Sequence, residues 1–122
     1  MGSRAMTEAA FLVLTALAGE PQHGYGIVGE VDALSGGRVT LSVGTLYGVL
    51  DRLAADRLVE LDREEVRNGR LRRYYRLTDQ GADALAAEAE RLAANVEAAA
   101  RRLRARQAPR ARARPAPAGG AA

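Results

Sequence analysis

Asn68-Gly69 sits between two stretches of alternating side chains, and no other feature constrains this 122-residue chain so tightly. Both residues accept a positive φ, which a two-residue hairpin turn demands. Segments 58–66 and 71–77 are therefore expected to pair as antiparallel strands. In the first, Val59, Leu61 and Arg63 alternate with Glu60, Asp62 and Glu64; in the second, Leu71, Arg73, Tyr75 and Leu77 alternate with Arg72, Tyr74 and Arg76. One face of such a hairpin packs and the other is wet, with Tyr75 expected in the core.

Three helical patterns precede the hairpin. Thr7 can cap a helix running through Ala18, with Glu8 at its favourable dipole end and Gly19, Glu20 and Pro21 stopping it. Phe11, Leu12, Val13, Leu14 and Leu17 cover more than one of its faces. Burial on two sides is the expectation, one against its own domain and one against a partner. A second helix is expected from Gly24 to Leu34, apolar at Tyr25, Ile27, Val28, Val31 and Leu34 and closed by Ser35, Gly36 and Gly37. His23, just ahead of it, reads as a structural hydrogen-bonding residue. The third helix starts at the N-cap Ser42, runs to about Ala55 and turns Leu46, Val49, Leu50 and Leu53 inward. Its other side carries Gly44 and Gly48. Each glycine costs about 0.5 to 1 kcal/mol in a helix interior, which is odd unless something must approach that face closely.

After the hairpin, Thr78 caps a last helix with Asp79 at its first position. Leu85, Ala89, Leu92, Val96, Ala99 and Leu103 recur there at heptad spacing. Such a seam needs a partner helix, whereas Glu88, Glu90, Arg91 and Glu97 read as solvated surface.

Charge sharpens the picture only once it is divided along the chain. The net charge is +3 and the sequence pI about 9.9. Seven arginines from Arg101 onward account for more than all of it, leaving residues 1–99 at −4. Within that acidic background, segment 66–76 holds Arg67, Arg70, Arg72, Arg73 and Arg76 and no acid. Every basic residue is arginine, there is no cysteine and there is one histidine. Lysine and thiol chemistry therefore have no carrier, and a metal site lacks its usual ligands. No His, Cys and carboxylate constellation suggests catalysis, and no cofactor is expected. No run of residues is long and apolar enough to suggest a membrane span, so a cytoplasmic protein is expected.

Three helices, a hairpin and a further helix, with a glycine-faced third helix and a basic hairpin, outline a mainly α winged helix-turn-helix with a two-stranded β wing. In that geometry the third helix enters the major groove of double-stranded DNA and the wing reaches the backbone or minor groove. Ser42, Gly44, Thr45, Tyr47 and Gly48 would position or read bases, and Arg52, Arg67, Arg70, Arg72 and Arg73 would meet phosphates.

The segments His23-Gly24-Tyr25, Ser42-x-Gly44-Thr45-Leu46-Tyr47 with Leu50-x-Arg52-Leu53, and Gly69-Arg70-x-Arg72-Arg73-Tyr74-Tyr75-x-Leu77-Thr78-x-x-Gly81 together resemble the PadR family of bacterial transcriptional regulators, in its short form with one C-terminal helix. The resemblance spans roughly residues 7–104. It implies a homodimeric repressor whose last helix packs against the first and last helices of the other subunit. Gly48 stands where many members carry proline. No tryptophan is present, so the aromatic sandwich with which some members bind planar drugs does not carry over.

The expected organisation is a leader over 1–5, a winged-helix DNA-binding domain over 6–78, a C-terminal dimerisation helix over 79–106, and a disordered Arg/Ala/Pro tail over 107–122. That tail reads equally as a solubilising extension or an extra DNA clamp. Phe11, Leu14, Leu85, Leu92, Val96 and Leu103 are the expected dimer contacts. A small-molecule effector, where one acts, is expected in the dimer cleft at Phe11, Thr15, Leu92 and Val96. The function expected is a repressor on a palindromic operator. The competing expectation is a ligand-sensing or protein-interaction module that has kept the winged fold without reading DNA.

Overall fold

The structure is a computed structural model that describes the backbone of residues 6–113 and side chains up to residue 108. The 1–5 leader and residues 114–122 of the expected tail lie outside the described residues. The chain forms two compact units, one ending at Glu88 and the other beginning at Ala89.

In the first unit, helix α1 (Glu8–Gly19) begins where the Thr7 hydroxyl accepts the Ala10 N–H at 3.0 Å. Its Leu12, Val13, Leu14, Ala16 and Leu17 are all buried. Both apolar sides of α1 are thus covered by its own unit, and of its large apolar side chains only Phe11 is half-buried rather than buried. That corrects the expectation of a partner-facing side at Leu14, which is sealed in the core at 0 % exposure and cannot reach a second chain.

A two-residue strand, β1 (Gln22–His23), follows, and then α2 (Gly24–Leu34) and α3 (Val43–Ala55). Gly36 and Gly37, with φ of 63° and 81°, turn the chain out of α2, and the Gly37 N–H donates to the Asp32 carbonyl at 2.8 Å. Ile27 and Val31 from α2, with Leu46, Leu50 and Leu53 from α3, close the core around α1. These two helices therefore stand on one apolar centre, which fixes the tilt of α3. Val49, expected inward, is only half-buried.

Strands β2 (Val59–Arg67) and β3 (Arg70–Leu77) form the antiparallel hairpin, with Asn68 at φ 52° and Gly69 at φ 76° in the turn. The sheet has three strands in the order β1-β3-β2, not the two expected. Gln22 and His23 pair with Tyr75 and Tyr74. Two residues are too few to show an alternation, so the sequence pattern hides β1. A bulge at Asp62 shifts the pairing from Leu61 with Tyr75 to Arg63 with Tyr74. One extra residue reverses the parity of the strand beyond it. Tyr74, on the side expected to be wet, is buried at 9 %, with Arg63 brought opposite it and 3.9 Å from its ring centre and with the His23 ring meeting it edge-on, while Tyr75 is half-buried.

Helix α4 (Asp79–Ala113) opens with Thr78, whose hydroxyl accepts the Gly81 N–H at 2.9 Å and donates to the Arg57 carbonyl at 2.7 Å. Gly81 is buried against the Leu58 carbonyl, so close that a Cβ would overlap that oxygen. Leu85, an expected dimer contact, packs partly buried on the core of its own unit. In the second unit α4 continues to Ala113, seven residues past the expected end at 106. Glu97 there pairs with Arg101 and Arg104, each at 3.6 Å. Leu92, Val96 and Leu103 are exposed at 36, 68 and 62 %.

Gly81→Ala is expected to destabilise the chain by about 2 kcal/mol or more, because backbone rather than a flexible side chain occupies the space. Thermal melts of the full chain check it, with Gly29→Ala, where nothing lies within 4 Å, as a control that should be neutral or better.

Candidate nucleic-acid interface

The start of α3 is presented by its cap. The Ser42 hydroxyl accepts the Thr45 N–H at 3.1 Å and donates to the Thr45 hydroxyl at 3.0 Å, which fixes both side chains at the first turn. Ser42, Gly44, Thr45, Gly48 and Arg52 are exposed. No atom lies within 4 Å of where a Cβ would stand at Gly44 or Gly48. Nothing among the described residues therefore requires glycine at either position, and the helix backbone on that side is open to close approach. Tyr47 is half-buried and meets Tyr75 edge-on, ring centroids 6.5 Å apart. A Cβ at Gly24 would sit 2.9 Å from the Tyr47 hydroxyl oxygen, so glycine there makes room for the ring at the start of α2.

The wing arginines, alike in sequence, separate into two sets. Arg73 pairs across the hairpin with Glu64 at 3.1 Å, and Arg67 approaches Glu65 at 3.7 Å. Arg76 is held by Glu60 at 2.6 Å and Asp62 at 3.1 Å. Arg63 joins Asp62 at 2.8 Å to Glu65 at 2.7 Å and lies 3.9 Å from the centre of the Tyr74 ring. Hydrogen bonds from Arg63, and then Arg76, hold the Asp62 carboxyl below the usual carboxylate range, and the Arg63 hydrogen bond does the same for Glu65. The +5 of segment 66–76 is therefore partly neutralised by acids of β2, which a count along β3 alone does not show.

Arg70 and Arg52 have no acidic partner among the described residues, and neither has Arg72. Arg72 instead places Nη1 3.3 Å from Nε2 of His23. Burial first, and then Arg72 and Arg67, push the His23 imidazole below its ordinary value, with Glu65 opposing them. His23 caps α2 through Nδ1, which accepts the Gly26 N–H at 3.4 Å, and its ring meets Tyr74 at right angles, centroids 5.2 Å apart.

A groove of about 330 Å³ brings these elements together, lined by His23 and Tyr25 at the start of α2, Val43 and Tyr47 at the start of α3, and Arg70 and Arg72 on β3. The beginning of the third helix and the acid-free arginines of the wing thus share one concave surface. Arg73 lines the groove too, paired with Glu64, whereas Arg52 in the last turn of α3 and Arg67 beside Glu65 do not line it. A larger depression, about 760 Å³, lies between the end of α3, the base of the hairpin and Thr78, but its Arg76 and Glu60 already neutralise each other. Of the residues expected at an effector site, Thr15 spends its hydroxyl on the Phe11 carbonyl at 2.7 Å. No cluster of residues able to hold a metal ion occurs among the described residues, and no helix there is long and apolar enough to cross a membrane.

Helix α3 set on a packed core beside a hairpin wing defines a winged-helix transcriptional regulator. The chain belongs to the PadR-like family of transcriptional regulators, whose model matches residues 13–87. Among solved structures it is similar to a PadR family transcription regulator from hypervirulent Clostridium difficile, with 22 % identity, 80 % of this chain and 99 % of that one covered and a TM-score of 0.67. A PadR-like transcriptional regulator from Bacillus cereus aligns with a TM-score of 0.65 at 22 % identity, covering 77 % of this chain and 89 % of that one. A PadR family regulator from Eggerthella lenta aligns at 26 % identity and 0.60, covering 75 % and 80 %. An uncharacterised 37.1 kDa protein of transposon TN4556 from Streptomyces fradiae is 42 % identical over 86 residues, 70 % of this chain. The chain spans 23 % of that relative's length. The family and these structural neighbours are transcription regulators, not enzymes.

His23 is the sole histidine, and no cysteine is present, so side-chain titration in the window of about pH 5 to 8 falls to this imidazole. Its folded value is depressed, so the unfolded chain binds more protons as the pH falls. Its contribution to stability is complete above the unfolded value of 6.5 and is lost as the pH drops through the lower folded value. Thermal melts across that window should show the decline, and His23→Asn should flatten it.

Proposed function

We propose that the chain is a homodimeric repressor that binds a palindromic DNA operator through α3 and the wing, and that it acts in the cytoplasm. The observation that carries this reading is the shared groove, where the open start of α3 meets Arg70 and Arg72, neither of them paired with an acid. Phosphate contacts from Arg70, Arg72 and Arg52 supply affinity. Thr45, Tyr47 and the backbone at Gly44 and Gly48 lie against base edges, positioned by Ser42. Two copies related by a two-fold axis would address half-sites about one helical turn, roughly 10 base pairs, apart.

The exposed Leu92, Val96 and Leu103, at heptad spacing on a helix whose other side chains are mostly alanine and charged residues, support pairing with a second copy. Relief by a small-molecule effector is assigned to the surfaces a second copy would cover, Phe11 and Thr15 on α1 and Leu92 and Val96 on α4. Such a ligand would act by altering the spacing of the two recognition helices.

A mobility-shift assay on the protein's own upstream region, with excess competitor DNA, tests the reading against a module that does not bind DNA. The acid pairing of Arg67 and Arg73 is the observation that favours that second reading. Replacing Arg70 and Arg72 with alanine should leave the melting temperature unchanged, weaken binding and lower the salt slope by about 1.8, at about 0.9 for each phosphate left without its arginine. Glu64→Gln, which releases Arg73, should tighten binding and steepen the slope. Leu92→Glu with Val96→Glu should sediment as a monomer and lose DNA affinity; a dimeric variant would remove α4 from the interface.

A further inference from the structure

The contact between His23 and Arg72 joins two groups that can satisfy each other only in the tautomer that gives up the Gly26 cap. Nδ1 of His23 accepts the Gly26 N–H, which occupies the single lone pair that a neutral imidazole has to offer. The proton of the neutral ring is thereby assigned to Nε2, and Nε2 faces Arg72 Nη1 at 3.3 Å. A guanidinium only donates, so in this capped tautomer two donors meet with no acceptor between them. Adding a proton to the ring does not help, because Nδ1–H would then oppose the Gly26 N–H and cost α2 its cap. Burial and the Arg72 and Arg67 charges already hold the ring neutral against the opposing Glu65. The ring has little freedom to turn away, since Tyr74 meets it edge-to-face and β1 pairs its backbone with β3. What the pair lacks is an acceptor oxygen, and the pair opens onto the groove that Arg70 also lines.

We propose that Nε2–H of His23 and the Arg72 guanidinium together bind one non-bridging oxygen of a DNA backbone phosphate. The neutral ring aims the guanidinium and supplies a second donor without a second charge. The inference rests on the DNA-binding reading above, which gave His23 no part in the interface. Phosphodiester is preferred over a free anion because the groove is bounded by the start of α3, the surface that reading sets against the duplex.

A single histidine makes the test direct, since imidazole ¹⁵N signals of the untagged full chain come from residue 23 alone. On adding a duplex of arbitrary sequence at low salt, the Nε2 proton should become protected from exchange and shift, with the ring still in its neutral Nε2–H form. His23→Asn keeps an oxygen for the Gly26 cap and removes the distal donor. It should bind the duplex several-fold more weakly at every salt concentration with an unchanged salt slope, whereas Arg72→Ala should lower the slope by about 0.9. In the Arg72→Ala background the asparagine substitution should cost little more.

A His23 spectrum unchanged at saturating duplex, or His23→Asn binding as the wild type does, overturns the proposal and leaves the DNA-binding reading standing. The same shift produced by inorganic phosphate at equal ionic strength overturns the duplex assignment in favour of a free-phosphate site. A wild type that fails to bind any duplex removes both. Should His23→Asn lower the melting temperature, the wild-type spectrum decides alone.

Discussion

Burial of α1 on both of its sides is the constraint on which the rest of the first unit depends. Leu12, Val13, Leu14, Ala16 and Leu17 present apolar surface around most of one short helix, and α2, α3 and the base of the sheet must all close on it. Each fully buried leucine or valine is worth about 1.5 to 3 kcal/mol, so α1 sets where its neighbours stand more firmly than any surface ion pair can. Helix α3 answers with Leu46, Leu50 and Leu53, a one-sided stripe that leaves its glycines and hydroxyls outward by default. The reading surface is what remains when the core has taken its share.

Much of this was legible in the residues. Asn68-Gly69 marked the turn, Thr7, Ser42 and Thr78 marked helix starts, and the apolar spacings set the limits of α1, α2 and α3 to within a residue. The winged-helix outline and the family resemblance followed from that order. What escaped reading has a common physical cause, namely that it depends on one strand knowing another. The bulge at Asp62 is invisible to alternation, and it brings Arg63 opposite Tyr74, the buried tyrosine. Strand β1 exists only because β3 is beside it. Leu14 looked available because a helical wheel shows which residues are apolar, not how many neighbours will arrive to cover them.

The candidate site follows the same division. Residue types at the start of α3 could be read along the chain, but which arginines remain available to an anion could not. Glu60 and Glu64 stand opposite Arg76 and Arg73 and pair with them, and Asp62 at the bulge also holds Arg76, whereas Glu65, opposite Arg72, is drawn instead to Arg63 and Arg67. These are exposed pairs, each worth little to stability. Their effect is on where the positive potential of the wing is concentrated, near Arg70 and Arg72 rather than spread along the strand. His23 carried no sign of its interest in the sequence, because the significance of its ring nitrogens appears only when Gly26 and Arg72 are both in place.

The two bare positions on α3 have a consequence for how such a regulator changes its target over time. At Gly44 and Gly48 a Cβ would meet no atom of the described residues within 4 Å and would add helix propensity, so packing does not resist alanine there. Anything placed there would address only what lies beyond the helix. The scaffold thus leaves two positions at which a single substitution would change the outer face of α3 while the core and the wing stay as they are.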